Sequence, residues 1–202
     1  MAGESVRLLG EELGLGDHVA FFFKSNAERL AFVIPFMSKG IQNRERCVYI
    51  TAENSTADIL AHFKDAGVDI DAATARGALR VVSKDDTYLR HGIFEPEKMI
   101  ADLDREVRTA VDDGFAGLRV TGEMSWALDL PSALSQLCEY EEELRRRWPA
   151  QLGGLCQYDE SIFPADVVER MADCHWVVVR DGNIIRHPVH RTAGADVAPH
   201  CH

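Results

Sequence analysis

Short apolar strands alternate with amphipathic helices along almost the whole chain, and this alternation restricts the fold more than any other feature. Runs rich in β-branched and aromatic residues lie at 18–23, 46–51, 79–83, 118–121 and 152–158. Helical segments are predicted at 25–37, 55–67, 95–113, 132–147 and 164–172. Because strands connected through helices ordinarily run parallel, the pattern predicts an α/β fold with a mainly parallel central sheet and helices on both faces.

The last apolar runs predict a hairpin. Residues 175–179 and Ile184-Ile185 flank the turn sequence Arg180-Asp181-Gly182-Asn183, which is typical of two antiparallel strands, and we place this pair at one edge of the sheet. A chain of 202 residues predicts a single domain. We divide it into an N-terminal segment (1–15), one domain (16–190) and a tail (191–202) whose composition predicts disorder.

The composition excludes several classes of partner. The formal charge of −11, from 22 basic and 33 acidic residues, repels nucleic acid phosphates and anionic membrane surfaces, so we expect no direct contact with either. Residues 1–15 include three glutamates and no continuous apolar stretch, which predicts neither a signal peptide nor a membrane helix. The five cysteines have no paired spacing, so free thiols and a cytoplasmic location are expected.

One predicted helix combines an acidic run with a basic one. Glu139, Glu141, Glu142 and Glu143 precede Arg145-Arg146-Arg147. Glutamates and arginines four residues apart form ion pairs on an exposed helix face. The sequence therefore predicts a solvated helix here.

The first strand–turn–helix lacks the residues that hold a nucleotide phosphate. Its turn reads Phe23-Lys24-Ser25-Asn26-Ala27-Glu28, without glycine, and its lysine precedes the helix. The fourth strand ends Val120-Thr121-Gly122-Glu123, with no aspartate to hold magnesium. ATP is therefore not an expected ligand.

Several short motifs resemble the MEDS family, the methanogen and methylotroph sensory domain of regulators of dichloromethane degradation and of other bacterial signalling proteins. The motifs are Gly16-Asp17-His18, Cys47-Val48-Tyr49-Ile50, Arg119-Val120-Thr121-Gly122-Glu123-Met124-Ser125-Trp126, Cys156-Gln157-Tyr158-Asp159 and His187-Pro188. The resemblance implies a RecA/KaiC-like fold that has lost its phosphate loop (P-loop). It also implies a sensor of small hydrocarbon derivatives.

The same resemblance implies signal output through a regulatory protein. Related domains are usually joined to a DNA-binding, kinase or anti-sigma domain, and no such domain follows here. We expect a protein partner of the kinase, anti-sigma or transcription-regulator type. A homo-oligomer is compatible with this arrangement, and a stand-alone sensor and a fragment both stay open.

Candidate ligand residues lie at the carboxyl ends of the predicted strands, where open α/β sheets bind ligands. Cys156 and Tyr158 alternate on the fifth strand, and Glu123 with Trp126 ends the fourth, so we expect all four around one cleft. His18 offers a polar entrance beside apolar walls at Phe21 to Phe23. Tyr49 on the second strand completes the set. The alternative is that Cys156 and Trp126 are core residues and Glu123 accepts backbone amides.

A metal or haem sensor is a second hypothesis. Cys156, His18 and His175 come from separate predicted strands and could meet in three dimensions, although no local spacing is typical of zinc sites. A third hypothesis is a protein-interaction module on a degenerate ATPase scaffold, which predicts no pocket beneath the fifth strand. No general base or oxyanion hole is recognisable, so catalysis is not expected.

Overall fold

A computed structural model describes residues 10–130 and 132–187. Its strands form one seven-stranded sheet in the order β3-β2-β4-β5-β1-β6-β7. All neighbours are parallel except β6 and β7, which form the antiparallel hairpin at one edge. The strands are β1 (His18–Phe23), β2 (Arg46–Thr51), β3 (Leu79–Ser83), β4 (Leu118–Glu123), β5 (Leu152–Asp159), β6 (Val177–Arg180) and β7 (Asn183–Arg186).

Helices cover both faces of this sheet. They are α1 (Asn26–Gln42), α2 (Thr56–Asp65), α3 (Ile70–Ala75), α4 (Pro96–Asp112), α5 (Ala133–Arg147) and α6 (Ala165–Cys174). Helices α1 to α3 pack on what we call the first face, through residues such as Phe32, Ile59 and Ala73. Helices α4 to α6 pack on the second face, through residues such as Leu103 and Leu137. The predicted α/β sheet, its helix layers and its edge hairpin are therefore confirmed.

Three of the differences between the expected and observed elements are informative. Helix α1 continues past residue 37 to Gln42, although Pro35 lies inside it, because buried residues continue at helical spacing as far as Gly40. The short helix α3, which is capped by the Asp69 carboxylate at the Ala72 amide, was not predicted. Strand β6 begins at Val177 because His175 still caps α6. The predicted disordered tail lies outside the described residues.

A buried ion pair anchors the amino-terminal end of β4. The Arg119 side chain is 1% exposed and donates to both carboxylate oxygens of Glu45, at 2.5 and 3.0 Å. It also donates to the carbonyls of Leu13 and Phe36, at 2.9 and 2.8 Å, and its guanidinium lies 4.5 Å from the centre of the Phe36 ring. Arg119 thus joins α1, β4 and the segments before β1 and β2.

Gly154 on β5 gives an indole ring room to lie on the sheet. A Cβ atom at this position would be 2.4 Å from Cη2 of Trp148, and the same ring stacks on His18 at a centroid distance of 4.1 Å. The indole N–H donates to the Leu152 carbonyl at 2.9 Å, which fixes the ring. The side chain at 154 must therefore be a hydrogen atom.

We expect Gly154→Val to lower the free energy of unfolding by about 1–3 kcal/mol, the usual cost of overpacking. Gly154→Ala should cost less because it inserts fewer atoms. Urea unfolding followed by circular dichroism measures both. The double variant Gly154→Val/Trp148→Leu is the control: if the clash with the indole is the cause, the valine costs less in that background. An equal cost in both backgrounds would assign the effect to another contact.

Candidate functional site

A cavity of about 240 Å³ opens at the carboxyl ends of β1, β4 and β5. We call it the edge pocket. A larger surface depression of about 620 Å³ lies beside the start of α4, but buried charged side chains line only the edge pocket of these two. The edge pocket is lined by Phe23, Asn26, Arg29, Glu53, Asn54, Glu123, Met124, Ser125, Gln157, Asp159 and Ile162.

Arg29 forms the floor of the edge pocket. The side chain comes from the first turn of α1 and the residue is 2% exposed. Its Nη1 donates to Glu123 Oε1 and to the Tyr49 hydroxyl, both at 2.6 Å, and to Gln157 Oε1 at 3.2 Å. Nε and Nη2 donate to Asn26 Oδ1 at 3.0 and 2.6 Å. Each of the three guanidinium nitrogens therefore donates to an acceptor within the protein.

Glu123 joins this floor to the loop after β2. Its Oε2 accepts the backbone amides of Ala52 and Glu53 at 2.8 and 2.9 Å, and its Oε1 accepts Asn54 Nδ2 at 2.9 Å. The Tyr49 hydroxyl donates to the same carboxylate at 3.0 Å, and burial raises the pKa of that tyrosine. A single buried carboxylate thus holds the 52–54 loop, β2 and α1 together.

The connection between β1 and α1 consists of only Lys24 and Ser25. The Ser25 hydroxyl accepts the Glu28 amide at 3.2 Å, and the Glu28 carboxylate accepts the Lys24 amide at 3.0 Å. The Lys24 ammonium pairs with Asp181 of the hairpin at 2.6 Å. The amides of Lys24 and Glu28 and the Lys24 ammonium, which are donors of the kind that a phosphate loop offers to a ligand, are therefore paired within the protein.

A second cluster of polar side chains is buried on the second face of the sheet. We call it the His–Cys cluster. One potential ligand atom from each member lies within 4.8 Å of all the others, and every member is buried: His18, Glu141, Cys156 and His175. His18 Nε2 and His175 Nε2 lie 3.1 and 3.5 Å from Glu141 Oε2.

Burial dominates the proton equilibria of the His–Cys cluster. It lowers the pKa of His18 and of His175 to about 3, because both imidazoles are removed from water. It raises the pKa of Glu141 and, well above its usual value, that of the Cys156 thiol. Burial therefore favours neutral imidazoles and a protonated thiol in this cluster.

The expected single cleft around Cys156, Tyr158, Glu123 and Trp126 is wrong. Cys156 and Tyr158 face the second side of the sheet, whereas Glu123 and Tyr49 contact Arg29 on the first. Trp126 is fully buried on the second side between Tyr88 and Phe94. The alternation within each strand was predicted correctly. Which residues of two neighbouring strands point to the same face depends on the register of the strands. Cys156 pairs with Gly122 and Gln157 pairs with Glu123, so Glu123 shares a face with Gln157 and not with Cys156.

His18 is not the entrance to a pocket. It is 0% exposed at the amino-terminal end of β1, and the Trp148 indole lies on its ring. Phe21 and Phe22 are buried core residues, whereas Phe23 also lines the edge pocket. The expected entrance is wrong because all six residues of β1 are buried, including its first. His18 is instead brought beside Cys156 and His175, as the metal hypothesis expected, although His175 lies at the end of α6 and not on a strand.

Sequence reasoning missed Glu141 and Arg29. Glu141 was expected on a solvated helix face, but it is 0% exposed, while Glu143 forms the expected pairs with Arg146 and Arg147. The available signal was spacing: Glu141 lies four residues after Leu137 and three before Leu144, on the apolar side of α5. The sequence signal for a buried Arg29 is weaker. It consists only of the apolar residues that follow Arg29 at helical spacing.

The fold and the edge pocket define a RecA-like α/β domain. A crystal structure of a KaiC-like protein from Pyrococcus horikoshii matches with a TM-score of 0.59 over 82% of this chain and 72% of that one. The two sequences are 15% identical, so the likeness concerns the fold alone. In the described residues, no helix has both the length and the apolar character needed to cross a membrane.

The chain belongs to the MEDS family, the methanogen/methylotroph, DcmR sensory domain, whose profile matches residues 17–176. The transcriptional repressor DcmR of Methylorubrum extorquens is 25% identical over 183 residues. This match covers 87% of the chain and 65% of the repressor, so the chain spans just under two thirds of that relative. Family membership gives the domain a sensory role in signalling.

Proposed function

We propose that the domain senses a small, neutral hydrocarbon derivative in the edge pocket, without chemical turnover, and signals to a regulatory protein that controls transcription. The observation that supports this most is the cavity above the Arg29–Glu123 pair. Its volume of about 240 Å³ is below the range typical of drug-sized ligands, which favours a small one.

The charges around the edge pocket favour a neutral ligand. One guanidinium, from Arg29, is accompanied by the three carboxylates of Glu53, Glu123 and Asp159. Because Arg29 already pairs with Glu123 at 2.6 Å, an anionic ligand meets net negative charge. Apolar side chains of Phe23, Met124 and Ile162 are available for the hydrocarbon part. The open cavity beside β5 also favours a ligand site over the alternative of a pure interaction module.

The hydrogen bonds of the floor provide a route for the response. A ligand that takes one hydrogen bond from Arg29 or Asn54 changes the contacts joining α1 to the 52–54 loop. Binding then favours one of two packings of that loop, which is the differential interaction that a ligand-driven change requires. The surface formed by this loop and α2 is where we expect the regulatory partner to read the signal.

We expect n-butanol and butyramide to give saturable NMR shift changes at the amides of residues 52–54, whereas butyrate should give none. At about −0.7 kcal/mol per heavy atom, well below the ceiling for small ligands, five or six heavy atoms give a Kd in the millimolar range, so the titration extends to millimolar concentrations. Ile162→Trp fills the pocket and should abolish the neutral-ligand shifts. Ile185→Trp is the matched control, because Ile162 and Ile185 are 50% and 51% exposed and only Ile162 lines the pocket.

Three results would contradict this proposal. Neutral probes that cause no saturable change in the wild-type chain would leave the edge pocket without a ligand of this class. Shifts of equal size in the wild-type chain and in Ile162→Trp would place binding elsewhere. Stronger binding of butyrate than of butyramide would overturn the assignment of a neutral ligand.

A further inference from the structure

We propose that the His–Cys cluster is a binding site for one divalent cation of the zinc class, held by one atom each from His18, Glu141, Cys156 and His175. Two imidazoles, one thiolate and one carboxylate are the donor types that zinc takes in four-coordinate protein sites. This site is separate from the edge pocket and does not depend on the proposed ligand.

The tautomer of His175 provides the first argument. Its Nδ1 lies 2.7 Å from the Met171 carbonyl, an acceptor, so Nδ1 is the nitrogen that has the proton. Nε2 is then a lone-pair acceptor, and it has no hydrogen-bond partner among the described residues. This lone pair faces Glu141 Oε2 at 3.5 Å. Two buried acceptors that face each other without a donor are destabilising, and a positive group between them removes this cost.

A proton on Glu141 would fill this gap less well than a cation. A hydroxyl–acceptor hydrogen bond ordinarily spans about 2.5–3.0 Å, which is shorter than the separation seen here. The same Oε2 also lies 3.1 Å from His18 Nε2. One proton bridges a single pair of atoms, whereas a cation is shared by both imidazoles, the carboxylate and the Cys156 sulfur.

The size of the cluster fits a single ion. Bond lengths of about 2.0–2.3 Å to nitrogen, oxygen and sulfur imply ligand–ligand distances of roughly 3.3–3.8 Å in a tetrahedral site. The four ligand atoms already lie within 4.8 Å of one another, so small side-chain rotations suffice. The Trp148 ring stacks on His18 at 4.1 Å and all four cluster residues are buried, which fits a single ion better than a haem macrocycle.

The hydrogen bonds of His175 and Glu141 also match those of metal sites, whereas His18 Nδ1 has no partner among the described residues. The Nδ1–H of His175 donates to the Met171 carbonyl, which directs Nε2 into the cluster, as ligating histidines usually do. The Tyr158 hydroxyl donates to Glu141 Oε1 at 3.1 Å, which leaves Oε2 directed at the imidazoles. Cation binding displaces the Cys156 thiol proton to solvent and joins β1, β5, α5 and the end of α6.

Cobalt(II) titration of the full chain, after treatment with a chelator, tests the site. We expect one cobalt per chain, with a thiolate-to-cobalt charge-transfer band and the strong visible bands of four-coordinate cobalt. Cys156→Ser should lose the charge-transfer band, and His175→Asn should weaken binding by about 100-fold or more. Cys138→Ser is the matched control, since Cys138 is also buried on the second face but lies outside the cluster.

Tyr158→Phe separates metal ligation from a structural role of the cluster. Loss of a hydrogen bond to a ligand typically weakens metal binding by about 10–100-fold, while the coordinating atoms and hence the spectrum are retained. A protein damaged in its fold would instead lose both. Circular dichroism of each variant verifies folding, and if Cys156→Ser does not fold, His175→Asn and Tyr158→Phe decide the question.

Two outcomes would overturn the proposal. A wild-type chain that takes up neither cobalt nor zinc would make the cluster a protonated, hydrogen-bonded part of the core. Binding that survives in Cys156→Ser and His175→Asn but disappears when His200, Cys201 and His202 are replaced would be adventitious binding by the end of the chain. Neither outcome affects the neutral-ligand test at the edge pocket, which Ile162→Trp scores separately.

Discussion

Replacing Arg119 by methionine is expected to lower the free energy of unfolding by about 3–5 kcal/mol, the usual cost of removing one partner of a buried ion pair. The variant leaves the Glu45 carboxylate buried without its counter-charge, and the carbonyls of Leu13 and Phe36 lose their donor. Urea unfolding followed by circular dichroism measures the change.

Two further variants test the cause of the Arg119 effect. Arg80→Met removes a solvent-exposed arginine that pairs with Glu106, and its expected cost is below about 1 kcal/mol. The double variant Arg119→Met/Glu45→Met removes both buried charges together and should recover much of the stability. If the double variant is as unstable as Arg119→Met alone, the unpaired carboxylate is not the source of the loss.

Glu123→Leu is expected to have an effect of similar size, about 3–5 kcal/mol, for the same physical reason. It leaves the Arg29 guanidinium buried without a carboxylate and the amides of Ala52 and Glu53 without their acceptor. Because these amides are then released to solvent, we also expect faster hydrogen exchange at residues 52–54. Urea unfolding and hydrogen exchange measured by NMR give the two readouts.

Glu53→Gln is the matched control for the Glu123 prediction. Glu53 is an exposed residue of the same loop, and its carboxylate accepts a hydrogen bond from Ser125 at 3.0 Å. We expect a change within about 0.5 kcal/mol and unaltered exchange at the neighbouring amides. Unchanged exchange at residues 52–54 in Glu123→Leu would show that this loop does not depend on the Glu123 carboxylate.

Most of the fold was predictable because it depends on patterns that are local in sequence. The bounds of β1, β2 and β3 follow from compact apolar runs, and Pro96 marks the start of α4. The turn of the hairpin is also local: Asp181 and Gly182 have φ of 51° and 71°, as the Asp-Gly sequence predicts for a tight turn between twisted strands.

The candidate sites were only half predictable. Period-two alternation places Cys156 and Tyr158 on one face of β5. Whether Glu123 lies on that face or on the opposite one is set by the register of β4 against β5. That register depends on packing across the whole sheet. Glu141 was hidden for another reason: charge runs are usually solvated, and only the apolar residues at helical spacing mark this one as buried.

Neighbouring residues of β5 contribute to both sites. Gln157 contacts Arg29 on one side of the sheet, and Cys156 and Tyr158 belong to the other side, so single peptide units connect the two. The strand lies fourth among the seven and is fixed by neighbours on both edges. If a bound cation changes the affinity for the organic ligand, the organic ligand changes the affinity for the cation by the same factor, because coupling between two binding equilibria is reciprocal. The metal content of a purified sample then becomes a variable that every affinity measurement on this domain has to hold fixed.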